Sequence, residues 1–211
     1  MSINTHIISL KRVSERREYV EDYIQKNPSC SIFEAIDKLD EERIIPLIKK
    51  HEMDIEPKYA SCILSHLSII NNFLDSDKKY QIIMEDDFKV KKQLPKSVDD
   101  VEKMIKEIGV HKQYVDILYI SDRVDINDKY EIIGGCGTEG YILSRKGAMK
   151  LKYILNKGVK HPVDLQFQAH YKYCDYIRDL INVRVKFVIV NAYRSKDIYV
   201  TCRGLESTIN N

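Results

Sequence analysis

The sequence predicts an α/β fold: a Rossmann-type, mostly parallel sheet flanked by helices. Three observations predict it. Short apolar runs of strand length, such as Ile7-Ile8 and Ile82-Ile83-Met84, lead directly into polar or charged residues, as buried strands of a parallel sheet do. Between such runs lie longer stretches with apolar residues at helical spacing, the clearest from Pro57 to Leu74. The first elements come in the order strand, helix, strand, which implies a right-handed parallel crossover.

His6–Leu10 is the first strand. Ser14 is suited to cap a helix reaching about Gln25, with Tyr19, Val20, Tyr23 and Ile24 turned inward. Asn27-Pro28 breaks that helix, and Ser31–Ile36 supplies a second strand ending at Asp37. Glu41–Lys50 carries an apolar stripe, but Pro46 limits it to a short or kinked helix. The helix after Pro57 has a broad apolar face (Cys62, Leu64, Leu67, Ile70, Phe73) and stops at Asp75-Ser76-Asp77. Gln81–Met84 is the next strand and runs into Glu85-Asp86-Asp87-Phe88. Ser97–Ile108 is an amphipathic helix closed by Gly109. Val115–Ile120 is a strand ending at Ser121-Asp122, and Ile132–Tyr141 holds four of the chain's eight glycines. Such density suits a hairpin turn or a close backbone approach to a ligand. Ser144 caps a helix over Arg145–Leu155, and Asp164 opens another after His161-Pro162-Val163. The last strand is expected at Val183–Val190, with a frayed tail after Thr201. No repeat, low-complexity tract or long linker divides the chain, so a single domain over residues 1–211 is expected.

Composition excludes several classes. Thirty-four basic residues face 32 acidic ones, a formal charge of +2, without the basic excess of a nucleic-acid binder. No segment approaches the roughly 18 apolar residues of a membrane span. Met1–Leu10 lacks the basic start and long apolar centre of a signal peptide. Cys30, Cys62, Cys136, Cys174 and Cys202 are odd in number and include no CxxC, so neither a disulfide framework nor a structural zinc site is expected. A cytoplasmic protein follows, with a Lys-rich surface that leaves room for a peripheral membrane contact. The chain has no GxGxxG, which disfavours a dinucleotide cofactor.

Glu85-Asp86-Asp87 is the stretch that asks for chemistry. The carboxylates fall at the C-terminal end of a buried strand, where open α/β sheets bind ligands. Three adjacent acids repel one another, and a divalent cation held by oxygen ligands relieves that repulsion. Glu85 and Asp87 share one side if the strand continues, and a turn lets Asp86 join them. Arg12 and Asp37 also lie at strand ends. A basic group near a helix start suits a phosphate, and an acid after the second strand suits a ribose hydroxyl. Either residue could equally be a solvated loop charge. His66, alone on its helix face, reads as a structural histidine.

Four segments, taken together in order and spacing, resemble glycosyltransferase family 25, the lipooligosaccharide and collagen galactosyltransferases. They are Ile7–Arg12 with Arg16-Arg17, Phe33–Asp37, Ser61–His66 running on to Ile83–Asp87, and Gly137–Ser144 with Gly147-Ala148 and Pro162-Val163-Asp164. The chain departs from the family pattern at Ser9, Ser61 and Ile70. The resemblance implies a GT-A-like fold, a nucleotide-sugar donor, and transfer with inversion to a lipooligosaccharide-like glycan or a hydroxylated protein. The donor it implies is a UDP-hexose, galactose or glucose. Residues up to about 90 would form the donor half and about 91–205 the acceptor half. Glu85 and Asp87 would hold manganese or magnesium (Mn2+ or Mg2+) on the donor diphosphate. Arg12, Asp37, Ser65, Asp86, Gly137 and Thr138 would bind the donor. Asp164, after its Pro-constrained turn, would be the base that deprotonates the acceptor, with Asp122 second. Two rivals stay open: a metal-dependent nuclease or phosphohydrolase, and a transferase relative that only binds sugars or nucleotides.

Overall fold

The structure, a computed structural model, describes residues 1–156, 158–181 and 188–203. β1 (Asn4–Ser9), α1 (Ser14–Lys26) and β2 (Cys30–Glu34) make the expected crossover, with β1 and β2 parallel. Ser14 is the first helical residue rather than the cap; Val13 takes that place, without a side-chain capping bond. α2 (Glu41–Lys50) is short, keeps Pro46 inside, and starts at Asp40, whose carboxylate accepts from the Arg43 amide. α3 (Pro57–Asp75) is the longest helix described, with proline in its first turn, where no intrahelical N–H is needed. Its exposed last carbonyls are met by a side chain from elsewhere. Arg145 donates to the carbonyls of Ser76 at 2.7 Å, Leu74 at 2.8 Å and Phe73 at 3.2 Å.

β3 (Tyr80–Glu85) stops three residues earlier than an unbroken strand through Phe88 would, and after a turn at Asp86-Asp87 the chain resumes as β4 (Phe88–Val90). α4 (Val98–Glu107) opens with a capping box in which Ser97 and Asp100 each satisfy the other's amide. After a short 3-10 turn at Lys112–Tyr114 come β5 (Ile117–Tyr119), β6 (Val124–Ile126), β7 (Ile132–Gly135) and β8 (Gly140–Ser144). The glycine-rich stretch thus divides between an antiparallel β6–β7 hairpin and the start of β8. α5 (Arg145–Leu155) begins where expected, with the Ser144 hydroxyl accepting from the Gly147 amide at 3.1 Å. Gly147 is required there: a Cβ on it would lie 2.2 Å from the Asp116 carbonyl oxygen. α6 (Val163–Gln168) and α7 (Asp175–Leu180) replace the single helix expected after Asp164. β9 (Ala192–Arg194) and β10 (Val200–Cys202) close the chain's described part. The strand expected at Val183–Val190 lies mostly outside the described residues; Val190 itself makes one isolated bridge, to Tyr171. Of the tail expected to fray after Thr201, Cys202 belongs to a strand paired with β4, and residues 204–211 lie outside the described residues.

The central sheet has six strands in the order β2-β1-β3-β8-β5-β9. β1, β2 and β3 run parallel, as do β5 and β9, while β8 runs antiparallel to both its neighbours. The expected α/β class and mostly parallel sheet are therefore present, with one reversed strand. That reversal positions the site. In register, Ile8 faces both Phe33 and Glu85, so the ends of β1, β2 and β3 share one edge. Met84 faces Gly140, the first residue of β8, so the segment before β8 arrives at that same edge.

Two hydrophobic layers cover the sheet. Ile83, Tyr141 and Leu143 face the layer supplied by α2, α3, α5, α6 and α7; Ile82, Met84 and Ile142 face the layer with Val20 of α1 and Val101 and Ile105 of α4. The period-two alternation along β3 and β8 makes both faces apolar. Each such aliphatic side chain, fully buried, stabilises the fold by about 1.5–3 kcal/mol. No described helix is long and apolar enough to cross a membrane.

Candidate active site

The site grows from the end of β3. Its three carboxylates part company at the turn. Asp86 goes inward: one oxygen accepts from the Arg16 guanidinium at 2.9 Å and the other from the Leu10 amide at 3.4 Å. Both partners of the ion pair are under a tenth exposed. The expected convergence of all three acids on one ion therefore fails for Asp86, because a buried carboxylate needs a buried cation and finds it on α1. Arg16 enters the sequence resemblance only as half of Arg16-Arg17, with no role of its own. At its position on the helix it reads as one of several surface charges.

Glu85 stays at the edge. Its Oε1 accepts from the Thr138 hydroxyl and lies 3.2 Å from His66 Nε2, whose other ring nitrogen is 2.8 Å from the Tyr141 hydroxyl. Burial disfavours its charge, yet His66, Thr138 and Arg123 together hold the carboxyl below the ordinary range. His66 is fully buried, as a structural histidine is, but the group it supports is a site carboxylate.

Asp87 has one oxygen near the Cys202 thiol at 3.6 Å and the other, Oδ1, buried without a hydrogen-bond partner among the described residues. Burial and the adjacent Glu85 charge push it up to about 6. Glu139, which sequence reasoning did not single out, behaves alike. One oxygen pairs with Arg123, Oε2 is buried without a partner among the described residues, and burial with the Glu85 charge pushes the carboxyl up to about 7. The Glu85 amide donates to the Glu139 carbonyl at 3.2 Å, which ties the two segments side by side. The clue lay in the sequence, since Glu139 sits two residues beyond Gly137 in the quoted glycine segment. Gly137 has φ +93°, and a Cβ there would strike the Glu139 carboxylate at 2.2 Å.

Asp164 accepts from the Gly137 amide at 3.3 Å and from the Leu165 amide at 2.9 Å. It is the second residue of α6, whose cap is Pro162, so it does not serve as an N-cap. Asp122 is exposed and both its oxygens lie 2.9 Å from the Thr201 hydroxyl. Arg12 and Asp37 pair with each other at 2.7 Å at the cleft mouth, neither waiting alone for a ligand. The Ser65 hydroxyl donates to the Ser61 carbonyl and accepts from the Ile36 amide, locking α3 to the loop after β2. Ser65 therefore shapes the cleft wall with a hydroxyl already engaged on the backbone.

An open cleft of about 640 Å³, mouth included, runs along this edge. Arg12, Asp37, Ser65, Glu85, Asp86 and Asp87 all line it. Thr138 joins through its bond to Glu85, and Gly137 and Asp164 adjoin through theirs; Asp122 stands apart on the surface. Lys38 and Lys58 add positive charge to the wall. The chemistry available is that of a cleft with clustered oxygen donors beneath a rim of cations.

The family model described as Glycosyltransferase family 25 (LPS biosynthesis protein) matches residues 2–167. The chain belongs to glycosyltransferase family 25. Membership makes it a glycosyltransferase-type protein, and its α/β sheet agrees with the GT-A-like fold that membership implies. Among curated proteins no match is found. Of the solved structures, it is similar to a glycosyltransferase involved in glycosylation of the major capsid of PBCV-1, at 11% identity and TM-score 0.46 over 98% of this chain and 95% of that one. HddC from Yersinia pseudotuberculosis is similar at 12% identity and TM-score 0.40, over 98% and 95%. The inositol-1-phosphate CTP transferase from T. maritima is similar at 9% identity and TM-score 0.41, over 100% and 92%.

The candidate site carries a pH signature. The unfolded chain releases the Asp87 and Glu139 protons near 3.8 and 4.5, whereas the folded chain keeps them to about 6 and about 7. Below both values the two groups contribute nothing, and stability is lost as pH rises through that window. Glu85 has the opposite sign, but its contribution is lost only as pH falls below the ordinary carboxylate range. In chelator, Glu139→Gln should therefore raise the urea midpoint at about pH 8, by up to ~3 kcal/mol of stability, and do little at about pH 4. A uniform loss at both pH values would mean that the Arg123 pair outweighs the repulsion.

Proposed function

We propose that the chain transfers a hexose, galactose or glucose, from a UDP-sugar to a hydroxyl of a lipooligosaccharide-like glycan or a hydroxylated protein, with inversion and metal assistance. The observation that carries this reading is Asp87 Oδ1, a buried carboxylate oxygen without a hydrogen-bond partner among the described residues, beside Glu85 in the cleft. Hard oxygen donors of this kind fit Mn2+ or Mg2+. Glu85 and Asp87 would hold the ion, and it would supply Lewis-acid stabilisation of the charge on a leaving diphosphate.

The chain's own residues do the rest. Arg12, Lys38 and Lys58 supply positive charge for the diphosphate, and Asp37, freed from Arg12 as phosphate takes its place, can accept from a ribose hydroxyl. Gly137, lacking a side chain, leaves room at the Glu139 carboxylate, and its amide orients Asp164. Asp164 then takes the acceptor hydroxyl proton as that oxygen attacks the anomeric carbon and the diphosphate leaves from the opposite face. A single base suffices for an inverting displacement, and no covalent nucleophile is needed.

A nucleotide-sugar panel read by thermal shift tests the donor. UDP-galactose or UDP-glucose should stabilise the protein with manganese and much less in chelator. Stabilisation by guanosine- or cytidine-linked sugars alone would rule out the uridine assignment. The departures from the family pattern at Ser9, Ser61 and Ile70 favour a second reading, a module that binds sugar nucleotides without transferring them. Manganese-dependent release of UDP from the donor separates the two readings.

A further inference from the structure

The cleft wall holds a second constellation that the hard-cation reading does not use. Cys62 and His66 are four residues apart on α3 and so project from one face, and Glu85 meets them from the end of β3. One ligand atom from each, the thiol sulfur, a ring nitrogen and a carboxylate oxygen, all lie within 4.8 Å of one another. We propose that Cys62, His66 and Glu85 form a three-ligand site for a borderline-soft divalent ion of the zinc class.

Geometry supports it first. Two nitrogen or oxygen ligands on a tetrahedral zinc ion sit about 3.3–3.5 Å apart, given bonds of about 2.0–2.2 Å. His66 Nε2 and Glu85 Oε1 already stand 3.2 Å apart, so an ion can replace the proton between them with almost no movement. The His66 ring is held from behind. Its Nδ1 is 2.8 Å from the Tyr141 hydroxyl, and with Nδ1 protonated the Nε2 lone pair is free to ligate. Cys62 completes the set by a side-chain rotation, losing its thiol proton to solvent as the sulfur–metal bond forms. Three protein ligands leave a fourth position open toward the cleft, which Cys62 and Glu85 both line. Chemistry separates this site from the first, since thiolate and imidazole suit zinc, whereas carboxylates alone suit manganese and magnesium. The Cys-x3-His spacing on a helix is one that a search for CxxC passes over. Glu85 belongs to both sets, so a zinc-class ion here would oppose the hard cation. That last consequence rests on the metal-assisted reading above; the site itself does not.

Cobalt(II) titrated into the reduced chain is the test. The parent protein should develop thiolate-to-metal absorption and the intense visible bands of tetrahedral cobalt, both removed by zinc. Cys62→Ser should lose the thiolate band. Tyr141→Phe, which removes only the support of the ring, should weaken zinc binding by about 10–100-fold, and Cys62→Ser by more. Asp87→Asn should keep the band. Absence of a thiolate band in the parent overturns the proposal without reference to any variant, and so does its persistence in Cys62→Ser. Loss of the band in Asp87→Asn would overturn the separation of the two sites. No nucleotide enters the measurement, so its failure is distinct from failure of the transferase reading.

Discussion

Asp164→Asn is expected to cut sugar transfer by about a hundredfold to ten-thousandfold while nucleotide and cation affinity stay close to the parent's. The substitution removes charge and keeps shape. Asp164 accepts from two amides, those of Gly137 and Leu165, and asparagine retains one accepting oxygen. The expected structural cost is one hydrogen bond, about 0.5–1.5 kcal/mol. Helix capping does not enter, since Pro162 holds the cap position. Single-turnover transfer with saturating donor is the measurement. A rate within a few-fold of the parent's would leave Asp164 as a brace for the glycine segment, and Asp122 would become the candidate base.

Arg16→Met should destabilise the protein by about 3–5 kcal/mol, the usual cost of stranding one partner of a buried ion pair. The guanidinium faces Asp86 at 2.9 Å, and without it that carboxylate keeps, among the described residues, only the Leu10 amide at 3.4 Å. Arg16 also draws Asp87 downward, so its loss should push the Asp87 carboxyl further up. The double variant Arg16→Met with Asp86→Asn should recover most of the stability, because it removes the stranded charge. Urea denaturation of the parent, both single variants and the double closes the cycle. If the double variant is as unstable as Arg16→Met alone, the loss comes from packing around the arginine stem instead.

Much of the architecture was legible because local signals carried it. The apolar run before Glu85, the long face of α3 and the Ser144 cap each announce an element from its own residues. Partnership was not legible. Nothing in Gly140–Ser144 says that the strand runs against its neighbours, since periodicity identifies a strand and not its direction. β9 and β10 have three residues each, too few for any periodic signal. At the site, the acidic triplet marked the right edge of the sheet, and six of the expected residues do line one cleft. Which acid turns inward depends on a buried cation from a different helix, and Glu139 gains its role only through burial beside Glu85. Both are properties of the assembled sheet; the glycine segment places Glu139 near the site without announcing its burial.

The pairing of β10 with β4 bears on how this site comes into being. Cys202 reaches Asp87 across 115 residues, Arg16 reaches Asp86 across 70, and Thr138 reaches Glu85 across 53. Contacts of such range close large loops, and chain entropy makes them late events in folding. The first crossover and α3 can collapse from nearby sequence, whereas the carboxylates acquire their full set of neighbours only when the C-terminal strand docks on Phe88–Val90. During synthesis the growing chain would therefore display its acidic edge half-made until the last described strand arrives.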